Sequence, residues 1–197
     1  MTPAAPLRAL SPGEAGLAVG SARPTPWQVP DDAAAGEGRR VRFAPMAEAD
    51  LDAVHEIEKL AHAHPWSRRH FADSIAAGHP AVLLLGEGGP GAAETLLGYM
   101  VAMPGFEEVH LLNITVAPAH RRQGWARLLL DALVLWSRGQ GAHQLWLEVR
   151  QGNAPARRLY DRYGFTPVGV RKGYYPLSSQ QREDAIVMNL PLDGGVA

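Results

Sequence analysis

The chain has 197 residues, enough for one domain with a substantial core, and 46% hydrophobic against 20% charged residues is a globular rather than a disordered balance. A formal net charge of -1 supplies no overall basic field for nucleic acid or an anionic membrane surface. The absence of cysteine removes a disulfide framework, Cys-ligated zinc and a thiol nucleophile together, and fits a cytoplasmic protein.

Residues 1–38 are rich in Ala, Pro and Gly and carry few large apolar side chains, too few to offset the entropy of ordering them. A flexible extension is expected there, with a docking arm or an over-long start as the other readings. No basic segment followed by an apolar stretch opens the chain, and no apolar run approaches the ~20 residues that span a bilayer. Neither a secretory signal nor a membrane segment is therefore expected. The folded domain is expected over 39–193, with a short tail at 194–197.

From Arg40 the texture changes. Val41-Arg42-Phe43 alternates like a strand, and Leu51, Val54, Ile57 and Leu60 recur at helical spacing. Ser67 can cap a second helix carrying Phe71 and Ile75 and stopped by Gly78. Ala81–Leu85 reads as an apolar strand and Gly86–Gly91 as a turn, followed by strands at Leu96–Met103 and Val109–Val116. Trp125, Leu128, Leu129, Ala132, Leu133 and Trp136 form the apolar stripe of a long helix ended by Gly139 and Gly141. Leu145, Leu147 and Val149 alternate as a strand, and Asn153 caps a helix running to Tyr163. Phe165–Val170 and Ala185–Leu190 supply the closing strands. The predicted order is β-α-α-β-β-β-α-β-α-β-β, an α/β domain with a mixed sheet.

The informative junction joins strand Leu111–Val116 to the long helix through Arg121-Arg122-Gln123-Gly124-Trp125-Ala126. A helix N-terminus offers unpaired N–H groups and partial positive charge to a phosphate. Gly124 lets the backbone approach an anion, Ala126 leaves room beside it, and Arg121 and Arg122 add charge-assisted donors. On its own this stretch is equally compatible with a plain strand-to-helix turn bearing surface arginines.

Arg-x-x-Gly-x-Ala between a strand and a helix resembles the acetyl-CoA pyrophosphate signature of the GCN5-related N-acetyltransferase (GNAT) superfamily. Further stretches resemble the bacterial ribosomal-protein-alanine N-acetyltransferases, in order: His64-Pro65-Trp66-Ser67, Leu145–Arg150, Asn153–Tyr160, Tyr163-Gly164-Phe165, Tyr174-Tyr175-Pro176 and Glu183-Asp184-Ala185. The resemblance covers roughly residues 40–192. It implies the GNAT fold, a mostly antiparallel mixed sheet of about six to seven strands flanked by about four helices.

Acetyl transfer from a thioester to an amine requires loss of a proton from the amine, donors for the oxyanion, and a proton for the departing thiolate. An α-amine has a reference pKa near ~7.7–8.0, so a weak base suffices, directly or through water. Glu148 near the end of its strand suits that base, and Tyr160 shares a helix face with Asn153 seven residues earlier. As an arbitrary strand carboxylate, Glu148 would instead pair with Arg150, and Tyr160 would be a core aromatic with its hydroxyl at the surface. The resemblance implies Glu148 as general base and Tyr160 as general acid. It implies the pantetheine arm of acetyl-CoA along Ile114, Thr115 and Val116 and near Asn153, and the pyrophosphate at Arg121–Ala126. The implied acceptor is the N-terminal alanine of a small-subunit ribosomal protein, attacked in a ternary complex. The alternatives are another peptide or small amine as acceptor, or a non-catalytic acyl-CoA-binding module.

On the acceptor side, Glu107 and Glu108 can attract a cationic N-terminus or be simply solvated, and Trp66, Tyr174 and Tyr175 can wall a peptide groove or pack. Gly86-x-Gly88-x-x-Gly91 matches a dinucleotide fingerprint, but Pro90 interrupts it and no helix follows, so a hairpin is expected. His55-Glu56 lacks the second histidine of a zinc-protease motif, and His62 and His64 have no evident third ligand, so no metal is expected. No direct contact with nucleic acid or membrane is expected.

Overall fold

The element order is the one the sequence predicts. A computed structural model describes residues 40–87, 93–178 and 180–192. The elements are β1 (Val41–Pro45), α1 (Leu51–Ala61), α2 (Arg68–Ala76), β2 (Ala81–Gly86), β3 (Thr95–Pro104), β4 (Glu108–Val116), α3 (Trp125–Gly139), β5 (Gln144–Arg150), α4 (Ala154–Tyr163), β6 (Thr166–Pro176) and β7 (Arg182–Pro191). The expected extension at 1–38, the tail at 194–197 and the glycines of the Gly88–Gly91 turn lie outside the described residues. No helix among the described residues is long and apolar enough to cross a membrane.

All seven strands form one sheet in the order β1-β2-β3-β4-β5-β7-β6. Only β4 and β5 run parallel, because the α3 crossover joins them; every other pair is antiparallel. Helices cover both faces. On the back, Leu128, Leu129 and Leu133 of α3 and Tyr160 of α4 pack with Met100, Val109, Leu145, Leu147 and Met188. On the front, Leu51 and Val54 of α1 and Phe71 of α2 pack with Leu83, Tyr99 and Val101. Each fully buried leucine contributes roughly 1.5–3 kcal/mol, so the α3 stripe alone is a major source of stability.

The local signals act as expected. The Ser67 hydroxyl accepts the His70 N–H to start α2, and Asn153 Oδ1 accepts the Ala156 N–H to start α4. Gly164 ends α4 at φ 114°, a conformation costly for any residue with a Cβ. Two expectations change. Leu60 is 74% exposed, and the buried stripe of α1 is instead Leu51, Val54 and Glu58. The strand expected to stop at Val170 continues to Pro176, across a register shift between Arg171 and Tyr175.

Candidate active site

The parallel ladder between β4 and β5 ends early. Glu108–Leu111 pairs with Gln144–Leu147, after which β4 runs on to Val116 and β5 to Arg150 without pairing to each other. The cause is local. Val101 faces Asn113 and Ala102 faces Leu111, so Leu112 is an extra residue in β4, a bulge that bends the strand and increases its twist. Beyond it the sheet opens into a split: the β4 edge at Ile114 and Val116 has no partner strand on that side, while the Thr115 carbonyl faces β3. Gly98 supports this edge: a Cβ there would lie 2.6 Å from the Thr115 carbonyl oxygen.

At the mouth of the split stands the N-terminus of α3. Its N-cap Gly124 has φ 87° and no side chain caps the helix, so the first-turn N–H groups of Trp125 and Ala126 have no capping acceptor. Arg122 also has positive φ, 62°, and left-handed positions of this kind curl N–H groups into anion-binding concavities. Nothing lies within 4 Å of a Cβ built on Gly124, so the space beside it is open. Several of the predicted cofactor side chains are otherwise engaged. Arg121 donates to the Ala61 carbonyl at 3.2 Å, tying the loop to the end of α1. The Trp125 ring is in the back core, 3% exposed, with its indole N–H on Gln123 Oε1 at 3.1 Å. Trp125 can therefore serve an anion through its backbone, not its ring. The residues present fit a pyrophosphate: an uncapped helix end, open space at Gly124, and the exposed Arg122 guanidinium.

Glu148 and Tyr160 lie on opposite faces of the sheet and have Tyr175 as a common neighbour. Leu147 and Val149 point into the back core, so Glu148 between them faces front. Its partner is Arg171, with Nε 3.0 Å from Oε1; Arg150 pairs instead with Glu183 at 3.2 Å. The Tyr175 hydroxyl donates to the Glu148 carbonyl at 3.2 Å, and burial, then the Glu148 carboxylate, raise the neighbouring Tyr174 phenol. Tyr160 is buried on α4 with its ring edge-on to Phe165. Burial, and then the neighbouring Tyr175 hydroxyl, push its phenol well above the ordinary tyrosine range. The phenol is thus protonated throughout the neutral range, the state a proton donor needs. Asn153 sits at the start of the same helix with Oδ1 bound to the cap.

A second polar cluster escaped the sequence reading. Glu58 is 2% exposed, yet its Oε1 accepts the Trp66 N–H at 2.9 Å and Asn113 Nδ2 at 3.2 Å. Its Oε2 accepts the Tyr99 hydroxyl at 2.6 Å and the Thr115 hydroxyl at 3.3 Å. His62 Nε2 lies 2.8 Å from Thr115 Oγ1 and 3.5 Å from Glu58 Oε2. Burial, then the charge of Glu58, raise the Tyr99 phenol far above its usual range. The cluster joins the 62–67 turn, which carries Trp66, to the strand lining the split. An acid at the third position of the Leu51–Val54–Glu58 stripe was the available signal. Of the other acceptor-side candidates, Glu108 binds His110 at 2.9 Å, and Trp66 packs against Phe71 with ring centroids 5.3 Å apart. A separate cavity of about 280 Å³ between α3, α4 and β7, lined in part by Arg127, Asp131, Arg138 and Tyr163, includes none of the predicted site residues.

A helix N-terminus left uncapped where a parallel pair parts is suited to an anionic ligand, and the chain belongs to the GNAT acetyltransferase family. The Acetyltransferase (GNAT) family model matches residues 51–165. The chain is 38% identical over 143 residues to the [Ribosomal protein bS18]-alanine N-acetyltransferase of Escherichia coli K12, covering 73% of this chain and 92% of the relative. The crystal structure of the E. coli ribosomal-protein-S18-alanine N-acetyltransferase superposes with a TM-score of 0.68 at 34% identity, covering 80% of this chain and 97% of that one. Arabidopsis thaliana NAA60 in complex with acetyl-CoA shares the fold, with a TM-score of 0.68 at 22% identity over 79% of this chain and all of that one.

Proposed function

We propose that this chain transfers the acetyl group of acetyl-CoA to the N-terminal α-amine of a protein, with the N-terminal alanine of a small-subunit ribosomal protein as acceptor. The single observation that carries the reading is the uncapped α3 N-terminus beside the parting of β4 from β5, with Glu148 and Tyr160 both neighbours of Tyr175. The acceptor follows the relatives, which act on ribosomal protein bS18 and cover most of the folded chain. Residues 39–193 are the catalytic domain in this reading.

Bound acetyl-CoA supplies the thioester carbonyl. The loop Arg121–Ala126 holds the pyrophosphate through the N–H groups of Gly124, Trp125 and Ala126 and the Arg122 side chain, and the β4 edge over Ile114, Thr115 and Val116, without a partner on its β5 side, holds the pantetheine arm. Asn153 sits beside that arm. The acceptor nitrogen attacks the carbonyl carbon, Glu148 takes the nitrogen's proton directly or through water, and backbone N–H groups of β4 stabilise the oxyanion. When the carbon–sulfur bond breaks, the Tyr160 hydroxyl gives its proton to the sulfur. Transfer is direct, since the chain has no cysteine to carry the acetyl group.

The test is thiol release from acetyl-CoA with a short Ala-starting peptide. Tyr160→Phe should lower kcat by about 100-fold or more, in the range of general-acid contributions, with CoA affinity unchanged. Unchanged turnover would remove Tyr160 from the reaction. A stable acetyl-enzyme formed from acetyl-CoA alone would rule out direct transfer.

A further inference from the structure

Glu148, the carboxylate at the end of the split, already has a cation. Arg171 reaches it from β6, with Nε 3.0 Å from Oε1. Arg171 pairs with Ala185, which pairs in turn with Arg150, so it shares the face of Glu148; past it β6 bulges, since Tyr175 pairs with Glu183 and two extra residues lie between. The bulge is pinned from β7, where Asp184 Oδ1 accepts the Gly173 N–H at 2.7 Å and Arg182 donates to the carbonyls of Gly173 and Tyr174.

The groups around Glu148 leave little for another cation to bind. From β5, Arg150 is paired with Glu183 of β7. From β6 come Arg171, Tyr174 and Tyr175. Asp184 and Arg182 of β7 are occupied by the bulge backbone. On β4, His110 is turned to Glu108, and on α1, Glu58 and His62 are engaged with Thr115. Glu148, Glu183 and Asp184 are thus matched by Arg150, Arg171 and Arg182. The aromatic faces are taken too. The Arg150 guanidinium lies 4.3 Å from the Tyr175 ring centroid and that of Arg171 lies 5.3 Å from the Tyr174 centroid.

We propose that Arg171 is a specificity-determining residue: as the resident counter-ion of Glu148 it disfavours an acceptor that arrives as an ammonium, and so selects α-amines over lysine ε-amines. This rests on the proposed role of Glu148 as the group that receives the acceptor's proton. At pH 7 an α-amine is neutral in roughly one molecule in ten, and a lysine amine in roughly one in 2,500, from their reference acidities. A site that rejects the cation inherits that difference. A site with a bare carboxylate attracts both ammonium ions and blunts it.

The experiment uses two competitors on one peptide sequence, an isosteric pair differing only in charge: one capped with trimethylammonioacetyl, the other with 3,3-dimethylbutanoyl. Against the wild-type protein the neutral cap should inhibit about tenfold more strongly, as expected for cation repulsion at partly exposed sites. Arg171→Met should abolish or reverse that preference, while Arg171→Lys keeps it. In parallel, the ratio of kcat/KM for an Ala-starting peptide to that for an N-terminally blocked lysine peptide should fall about tenfold in Arg171→Met. Loss of activity common to both acceptors, from misplacing Glu148, cancels in this ratio. A wild-type preference for the cationic cap overturns the proposal, as does an Arg171→Met variant whose preference and ratio match the wild type. If Arg171→Met does not fold, the wild-type pair alone decides. A wild-type protein that releases no thiol with the Ala-starting peptide would defeat the functional reading itself, a different result from turnover with a preference for the cationic cap.

Discussion

Replacing Glu58 by glutamine tests whether the buried front cluster depends on charge or only on shape. The change keeps the volume and removes one acceptor. Each carboxylate oxygen serves two donors, Oε1 the Trp66 N–H and Asn113, Oε2 the Tyr99 and Thr115 hydroxyls. With the new NH2 at Oε1, Asn113 can flip its amide to accept, but the Trp66 N–H cannot and is left without an acceptor. With it at Oε2, the Tyr99 and Thr115 hydroxyls can reverse and accept, and Thr115 retains Asn113 Oδ1 at 3.0 Å as its own acceptor. The Tyr99 hydrogen then has no partner within the cluster. The variant therefore loses the charge assistance of up to four hydrogen bonds and strands one buried donor, against the relief of burying no charge.

Charge-assisted bonds exceed neutral ones by roughly 1 kcal/mol each, and a stranded donor costs about 1–3 kcal/mol. Set against recovered desolvation, the expected net loss is about 1–3 kcal/mol. Glu58→Ala, which orphans all four donors, should lose about 3–5 kcal/mol. Urea denaturation followed by tryptophan fluorescence reads both. Because the Trp66 N–H is one of the four donors, the acceptor-peptide KM should rise in Glu58→Gln more than the acetyl-CoA KM does. A glutamine variant as stable as the wild type within about 0.5 kcal/mol would refute the view that ionisation matters there.

Three shorter predictions bear on other parts of the molecule. Gly124→Val should cost about 1–2 kcal/mol through its left-handed backbone, and should weaken CoA binding at least tenfold by filling the open space beside the loop; calorimetry showing equal CoA affinity would overturn the pyrophosphate assignment. Gly98→Ala should cost about 1–3 kcal/mol, since its Cβ would meet the Thr115 carbonyl at 2.6 Å, and should raise the acetyl-CoA KM by displacing the strand edge; a KM at the wild-type value would count against the role of that edge. Tyr99, Tyr160, Tyr163 and Tyr175 all have phenol pKa values raised first of all by burial. The folded chain keeps these protons while the unfolded chain loses them near pH ~10, so their stabilisation is intact below that pH and is lost as pH rises above it. The slope should approach about 5 kcal/mol per pH unit for four groups, and phenolate absorbance before unfolding from more than the exposed Tyr174 would contradict it.

What could be read from the chain alone follows from where each signal resides. Helix α3 and strand β5 declare themselves because one face of each is buried, which imposes a period on the residues. Strand β6 lies at the sheet edge and is exposed along nearly its whole length, so burial imposes no alternation, and its outer half was not foreseen as strand. Helix α1 misled in a different way: apolar spacing favours Leu60, whereas the fold buries Glu58 on that face. An acid can hold such a position only with donors brought from elsewhere, and these stand 41, 55 and 57 residues away at Tyr99, Asn113 and Thr115. The same holds for Glu148, whose partner comes from β6, two places away in the sheet. Motif resemblance could name Glu148 and Tyr160, but not the Arg171 guanidinium paired with Glu148.

The extra residue at Leu112 links these features. Because β4 gains one residue there, its side-chain phase changes: Val109 and Leu111 face the back core before the bulge, and Ile114 and Val116 face it after. Leu112 and Asn113 consequently both face front, Leu112 into the front core and Asn113 onto Glu58. Without the bulge, the alternation set by Val109 and Leu111 would send Asn113 and Thr115 into the apolar back face, where their polar groups would lack partners. The one distortion that parts β4 from β5, and so opens the split, also delivers the two polar side chains that Glu58 gathers together with the Trp66 backbone. The strand along the split and the turn on its front side are therefore fixed by the same carboxylate, and a displacement of either is felt by the other.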